Sequence, residues 1–143
     1  MNDLSTALNE LCRRFGVASL YLFGSRAEEI AARVAGQMPV PGPAGSDLDV
    51  AVQPAPEAFR LVDERVGLMQ ALEELFEVPR VDLVILPQAS PFLAADAIRG
   101  ELLFCDDEDR QAREELYYLR RAADLAPFQR ERLDGLLSGE YRR

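Results

Sequence analysis

Three aspartates and one glycine–serine pair are the residues of this sequence whose types and spacing could do chemistry. Asp47 and Asp49 stand one residue apart in SDLDV, Asp82 lies in VDLVIL, and Gly24 and Ser25 directly follow the apolar run VASLYLF. Because side chains alternate along a strand, Asp47 and Asp49 are expected on one face. The run around Asp82 is typical of a strand covered on both faces, where an ionised carboxylate needs a partner or a metal ion. Gathered carboxylates repel one another unless a divalent cation supplies positive charge, so the pattern indicates a cation site.

Each of these features also has a simpler interpretation. A Ser-Asp-x-Asp sequence at a strand start is often a turn in which the aspartate bonds nearby backbone. Asp82 could instead pair with Arg80 or Arg99, and the glycine–serine pair could be only the capped start of a helix. Taken together, however, a glycine–serine turn before a helix and three acids on two strands predict one pocket for phosphate and metal.

Residue types that are missing from the sequence narrow the chemistry further. The sequence contains no His, and all sixteen of its basic residues are Arg. Ser-His-Asp triads, His-ligated zinc, Schiff-base lysines and P-loop lysines are therefore excluded. Cys12 and Cys105 have no CxxC spacing and are expected to be two reduced thiols. Carboxylates and metal ions remain as the catalytic groups.

Length and composition predict one soluble domain over residues 1–143, with a helical C-terminal extension from about residue 106. The 143 residues are 48% hydrophobic, which is ordinary for a chain that buries a core. No apolar run approaches a membrane span, and the N-terminus lacks the pattern of a signal peptide, so a cytoplasmic location is expected. The net charge of −9 argues against direct binding of nucleic acid over a broad surface.

Apolar periodicity and turn residues predict an α/β (α+β) fold, in which helices pack on a small mixed β-sheet. The predicted elements are helix Leu4–Phe15, strand Val17–Phe23, a helix capped by Ser25 and Glu28 that runs to about Ala35, strand Asp47–Val52, a long helix, strand Arg80–Leu86, helix Pro91–Arg99, strand Glu101–Phe104, and a charged helical segment from Asp106 that is interrupted at Pro127.

Two stretches between these elements carry their own expectations. The long helix is expected to bury an apolar face made of Phe59, Val62, Val66, Met69, Leu72 and Phe76. Gly36–Gly45, with three Gly and three Pro, is expected to be an irregular rim of the pocket, or else a tolerated insertion.

The segments LFGSRA, SDLDV and VDLVIL resemble motifs of the DNA polymerase beta type nucleotidyltransferases, in the minimal form called the MNT domain. The resemblance runs from about Val17 to Phe104, where AADAIRGELLF is similar to the closing helix and strand of such domains. It implies the nucleotidyltransferase fold and ATP as substrate with Mg²⁺. By position it implies nucleotide binding at Gly24, Ser25 and Arg26, and metal binding and catalysis at Asp47, Asp49 and Asp82, with Asp82 also helping to activate the attacking hydroxyl.

One difference from the family pattern concerns the residues after the turn. Glu28 and Glu29 stand where many members carry A-R-G. They are expected to face away from the phosphates, as helix cap and solvated face; directed inward, they would weaken nucleotide binding.

The resemblance further implies an antitoxin of the HEPN/MNT type, which neutralises a HEPN ribonuclease toxin and transfers AMP to one of its tyrosines. The expected working unit is a hetero-oligomer that docks partly through an apolar stripe at Leu116, Tyr117, Tyr118, Leu119 and Phe128. That stripe could instead pack on the chain's own sheet or form a homodimer. Two other functions stay open: transfer of a nucleotide to a small molecule such as an aminoglycoside, and binding without catalysis.

Overall fold

Helices and strands alternate along the chain in the predicted order. The computed structural model describes residues 3–38, 47–56 and 64–138. Its elements are α1 (Asp3–Phe15), β1 (Val17–Phe23), α2 (Ala27–Val34), β2 (Leu48–Pro54), α3 (Arg65–Phe76), β3 (Val81–Ile85), a 3₁₀ turn (Leu86–Gln88), α4 (Pro91–Ile98), β4 (Glu101–Cys105) and α5 (Glu108–Ser138). The α/β fold class predicted from the sequence is confirmed.

The four strands form one mixed sheet in the order β3-β2-β1-β4. β1 is antiparallel to both β2 and β4, and β2 is parallel to β3. A parallel pair needs a crossover connection, and α3 lies in the connection between β2 and β3. The expectation of a small mixed sheet is therefore confirmed.

Helices cover both faces of the sheet, and side-chain alternation on β2 decides which residues face which layer. Leu48, Val50 and Val52 join the larger core, which they share with buried residues of α1, α2 and α3. Ala51 belongs to the second core, with Tyr21 of β1 and buried residues of α4 and α5. Asp49 lies two positions before Ala51, so its side chain is on the same face of the sheet as Ala51, the face covered by α4 and α5.

The outer edge of β3 is held by two side chains of α3. Glu73 accepts a hydrogen bond from the backbone N–H of Val81 at 3.0 Å, and Arg65 donates one to the carbonyl of Leu83. Backbone groups at a sheet edge otherwise face solvent or a strand of another chain. This edge of the sheet is thus closed by side chains.

The start of α2 differs from the prediction. Its N-cap residue is Arg26, no side chain caps the helix, and Ser25 is exposed in the turn that precedes it. The turn begins at Gly24, whose φ is 78°, so two further residues pass before the first helical one. The predicted capping box between Ser25 and Glu28 is therefore wrong, although the end of the helix near Ala35 is confirmed.

The buried face of α3 is partly as predicted. Leu72 and Phe76 are buried and Met69 packs against them, but Val66 is 64% exposed. The burial repeats every four residues through Leu68, Leu72 and Phe76, and this stripe excludes Val66. Phe59 and Val62 lie outside the described residues, as do residues 39–45 of the predicted Gly36–Gly45 rim.

Helix α5 continues through Pro127, so the predicted interruption is wrong. The helix comprises 31 residues with this proline in its interior. A proline removes one backbone donor and disturbs one turn, while the turns on both sides keep their own hydrogen bonds.

Two other sequence-level expectations concern the thiols and membranes. Cys12 and Cys105 are both free, and burial raises the pKa of the Cys12 thiol to about 12. Within the described ranges, no helix combines the length and apolar character needed to cross a membrane.

Candidate active site

The turn after β1 brings backbone directly against the carboxylate of Asp49. Phe23, the last residue of β1, is the register partner of Asp49 on β2, so Gly24 lies beside that side chain. A Cβ atom at Gly24 would collide with the Asp49 carboxylate, and the φ of 78° also favours glycine here. The sequence motif G-S and the motif D-x-D therefore meet in space.

Asp82 lies beside Asp49 on the neighbouring strand. The parallel register pairs Asp49 with Asp82 and Leu48 with Val81, so the two carboxylates share the α4/α5 face. Asp49 is half-buried, but Asp82 is exposed. The expectation that Asp82 is buried on both sides is wrong, because coverage of this face of β3 begins farther along the strand, at half-buried Val84 and at buried Leu86 beyond its end.

Asp47 immediately precedes β2 and is half-buried. Its Oδ2 atom lies 3.7 Å from the Nε atom of Arg80. The side chain of Arg80 is largely exposed, and an exposed pair of this kind contributes at most about 1 kcal/mol. The ion pair that the sequence suggested between Arg80 and Asp82 is thus formed with Asp47 instead.

The three carboxylates act on one another electrostatically. Burial raises the pKa of Asp49, and the negative charges of Asp82 and then of Asp47 raise it further. As placed, however, no three His, Cys, Asp or Glu side chains of the described residues stand close enough to form a metal-binding group. The three carboxylates therefore lie on the same face of the sheet and influence one another electrostatically, but they do not surround a common position.

A cavity of about 490 Å³ adjoins Asp49. Its lining residues are Phe23, Gly24, Ala27, Glu28, Asp49, Asp96, Arg99, Gly100 and Glu101. Of the predicted nucleotide-binding and metal-binding residues, Gly24 and Asp49 line it, whereas the side chain of Arg26 forms an ion pair with Glu29 at 2.9 Å. The expectation that both glutamates face away is wrong for Glu28, which belongs to the cavity wall.

The turn between α4 and β4 supplies cavity residues that the sequence did not predict. Arg99, Gly100 and Glu101 reach the site because β4 pairs with β1 and its first residue, Glu101, is in register with Leu22. A Cβ at Gly100 would collide with the carbonyl oxygen of Leu22, so only glycine lets this turn approach β1 so closely. The sequence signal was the Arg-Gly pair that ends a short helix before a strand.

The donor types at this site suit a divalent cation and a phosphate chain, although the three aspartates do not converge as placed. Mg²⁺ prefers oxygen ligands, and Asp49 and Asp82 offer two carboxylates on adjacent strands, with Asp47 on the same face. The backbone of the Gly24 turn and the N-terminus of α2 border the cavity wall, and backbone N–H groups in such positions attract phosphate oxygens.

Solved structures with the same fold include chains of toxin–antitoxin complexes. A chain of a toxin–antitoxin complex with AMP-PNP is 21% identical, with a TM-score of 0.68 over 93% of this chain and 98% of that chain. A chain of the MntA–HepT complex is 20% identical, with a TM-score of 0.65 over 94% of this chain and 97% of that chain. A chain of the complex between a tri-AMPylated HEPN toxin from Shewanella oneidensis and an MNT antitoxin is 20% identical, with a TM-score of 0.64 over 94% of this chain and 96% of that chain. These likenesses show the fold.

No curated protein matches the sequence. The family model for the polymerase beta nucleotidyltransferases matches residues 6–109, which is most of the chain. That range includes the Gly24 turn, all three aspartates and the α4–β4 turn. The chain belongs to the polymerase beta nucleotidyltransferase family.

Proposed function

We propose that this protein is an MNT-type antitoxin that binds and neutralises a HEPN ribonuclease toxin by transferring AMP from ATP to a tyrosine of that toxin. One observation carries the proposal: backbone at Gly24 lies against the carboxylate of Asp49, Asp82 lies beside it, and a cavity adjoins them. Its volume of about 490 Å³ lies in the range of sites for small molecules, which is about 300–1,000 Å³.

The choice of acceptor is supported by the fold-level neighbours. Among proteins of the same fold are chains from a complex with AMP-PNP and from a complex that holds a tri-AMPylated HEPN toxin. The family membership gives nucleotidyl transfer as the reaction, and these neighbours favour a protein over a small molecule as acceptor.

The turn and the cavity wall hold the nucleotide. Backbone N–H groups at Gly24 and Ser25 bind phosphate oxygens, and Arg26 lies at the start of α2 beside them. Arg99 faces the same cavity from the α4–β4 turn and adds a guanidinium suited to bidentate contact with phosphate.

Asp47, Asp49 and Asp82 are the residues that hold Mg²⁺. Bound there, the ion supplies charge neutralisation on the phosphates and orientation of the reacting oxygens. The chain's own contribution is the strand register, which sets the carboxylates of Asp49 and Asp82 side by side.

The reaction is an in-line displacement at the α-phosphorus. The tyrosine oxygen forms a bond to that phosphorus, the bond to the bridging oxygen breaks, and pyrophosphate leaves. Asp82, which is the exposed member of the three acids, takes the proton of the tyrosine hydroxyl. Positioning and charge complementarity contribute most of the acceleration in such transfers.

A second candidate function is neutralisation by binding without catalysis. The observation that favours it is the acidity of the cavity, whose wall contains Glu28, Asp96 and Glu101 in addition to Asp49. Carboxylates at these positions repel a triphosphate in the absence of cations.

Co-expression with a candidate HEPN-domain toxin, followed by intact-mass measurement, tests the proposal. We expect the toxin to gain AMP with the wild-type protein, and Asp49→Asn to reduce the transfer rate by roughly 100-fold or more, since the charge that organises the site is removed. Asp109→Asn, which makes the same chemical change at an exposed position in the first turn of α5, should transfer AMP like the wild type.

Two results would contradict different halves of the proposal. A toxin that co-purifies and is neutralised but never gains AMP removes the enzymatic half and leaves the binding-only function. A toxin that does not co-purify with the wild-type protein removes the partnership.

A further inference from the structure

The outward side of α5 carries three arginines around two exposed apolar residues. Tyr117 is 55% exposed and Leu116 is 51% exposed. The spacing of the set places it on one side of the helix, while Gln111, Glu114, Tyr118 and Ala122 are buried on the other. We call this set the α5 arginine face; it consists of Arg113, Leu116, Tyr117, Arg120 and Arg121.

The α5 arginine face is concave. Its five residues and Asp124 line a groove of about 470 Å³. An adjacent hollow of about 460 Å³ shares Arg113, Tyr117 and Arg121 with the groove, and its far wall contains Pro54, Pro56 and Pro87. The groove and the hollow therefore adjoin each other at these three side chains, and we call the two together the depression.

The arginines of this face form no close ion pair within the described side chains, although Arg113 lies near enough to Asp107 to lower the pKa of that carboxyl. Across 3–38, 47–56 and 64–127, no Asp or Glu forms an ion pair with Arg113, Arg120 or Arg121. Arg121 instead lies over the Tyr117 ring, 5.6 Å from its centroid. Glu114 also lines the adjacent hollow, but it already accepts hydrogen bonds from Ser19, Tyr21 and Arg110.

We propose that the α5 arginine face docks an acidic amphipathic segment of the partner toxin. Carboxylates of that segment pair with Arg113 and Arg121, and an apolar side chain packs on Leu116 and Tyr117. Aromatic residues and arginines are favoured at the centres of protein interfaces, and complementary charge fixes the partner's register. The inference rests on the proposed function, because the partner is the HEPN toxin.

Protein is favoured over nucleic acid as the occupant. The depression has an apolar centre at Leu116 and Tyr117 and contains Asp124 among its arginines. A phosphate backbone needs an unbroken basic stripe, whereas an apolar centre between separate arginines suits an amphipathic protein segment.

The docking surface lies at the other end of the sheet from the nucleotide cavity. Gln53 and Pro54, which line the hollow beside α5, end β2, whereas Asp49 is near its start. Pro54 lies five residue steps along β2 from Asp49, which is about 16 Å at the usual rise per residue. A partner held on α5 therefore leaves the cavity open to ATP.

The test is the affinity of the full chain for the HEPN-domain toxin used in the co-expression test, with ATP binding measured in parallel. We expect Arg113→Glu combined with Arg121→Glu to weaken the complex roughly 10- to 100-fold, and Tyr117→Ser to weaken it as well. ATP binding should stay unchanged in both variants. The matched control reverses the same two charges at Arg13 and Arg14, which are exposed on α1 at the opposite face of the sheet, and should leave the complex intact.

Salt gives a second readout, since raising the ionic strength should weaken the wild-type complex more than the Arg113 and Arg121 double variant. The inference is overturned if both double variants lose affinity for the toxin equally, or if neither loses any. It is also overturned if the α5 arginine face binds RNA instead, or if it holds a second copy of this chain in a homodimer. Absence of any complex with the wild-type protein is a different result, because it removes the proposed function itself and the docking inference with it.

Discussion

Arg99 provides positive charge in an otherwise acidic cavity wall. It lies at the end of α4, on the far side of the turn that Gly100 allows to approach β1. Glu28 and Asp49 border the same cavity, so a triphosphate that enters meets carboxylates as well as this guanidinium. In our proposal, Arg99 and Mg²⁺ together make the wall attractive to phosphate.

Replacing Arg99 tests this role. We expect Arg99→Gln to lower ATP affinity about tenfold in the presence of Mg²⁺, because a charge-assisted hydrogen bond to phosphate is lost. Isothermal titration calorimetry measures the change, with Arg13→Gln on the far side of the molecule as the control. Wild-type affinity that is the same in EDTA as in Mg²⁺ would count against the metal site, and unchanged affinity in Arg99→Gln would count against Arg99.

The sequence indicated some of these side chains and missed others for a physical reason. Asp49 and Gly24 could be predicted because motif spacing and strand alternation are local properties of the chain. Arg99 and Glu101 could not, since they reach the cavity only through the pairing of β4 with β1, and the Arg-Gly pair before β4 does not specify which strand β4 pairs with. Asp82 was predicted beside Asp49 but not as exposed, because its exposure depends on where α4 and α5 stop covering the sheet.

Helix α5 is fastened to β1 by a buried carboxylate. Glu114 accepts hydrogen bonds from Tyr21 at 2.6 Å, from Ser19 at 3.2 Å and from Arg110 at 2.6 Å. Arg110 also donates to the backbone carbonyl of Ala18 at 2.9 Å. A buried charge with several donors is tolerated, whereas the same donors without it are left unsatisfied.

Removing that carboxylate should loosen α5. We expect Glu114→Ala to lower the free energy of unfolding by about 3 kcal/mol, because Arg110 is left as a partly buried charge without its main partner. Glu114→Gln should have a smaller effect, since the amide still accepts one hydrogen bond. Urea unfolding measures both, and the prediction is wrong if Glu115→Ala, one position away on α5, destabilises the protein as much as Glu114→Ala does.

The order of helices and strands could be predicted from the sequence more reliably than the residues at which individual helices begin and end. Strand β1 was predicted with its observed bounds, because the apolar run Val17–Phe23 is flanked by glycines at both ends. The start of α2 was predicted wrongly because the turn at Gly24 extends past Ser25. The S-x-x-E capping pattern contains no information about the length of that turn. The continuity of α5 through Pro127 was missed because a proline disturbs one turn without ending a long helix.

Across the whole molecule, the proposed functions occupy opposite ends of one sheet. The cavity lies where β1 ends and β2 begins, and the depression on α5 lies near the start of β1 and the end of β2. Central strand β1 connects the two, with its last residue beside Asp49 and its early residues beside Glu114. The core that fixes this spacing includes the fully buried Leu20, Tyr21 and Leu22.

Ionisation of Asp49 should make the fold less stable at neutral pH. The pKa of Asp49 is raised in the folded protein, so as pH rises the unfolded chain ionises this group first, near a pKa of about 3.9. Stability is therefore lost as pH rises from that value through the folded pKa. Without divalent ions, Asp49→Asn should melt a few degrees above the wild type at pH 7, and the difference should vanish below about pH 4.

Thermal melts followed by circular dichroism across this pH range check the expectation, with Asp109→Asn as the control for the same change elsewhere. Adding Mg²⁺ should raise the melting temperature of the wild type more than that of Asp49→Asn, because binding to the folded state stabilises it by mass action. A variant that melts below the wild type at pH 7 would show that Asp49 contributes stabilising contacts instead.

The side chains that close β3 have a consequence for how this chain can associate. Glu73 and Arg65 occupy the N–H of Val81 and the carbonyl of Leu83, so a strand from another molecule cannot bond to those groups without displacing both. Fibril growth and domain swapping commonly start by adding a strand to such an edge. Along this border, the two contacts therefore oppose the addition of a foreign strand at Val81 and Leu83.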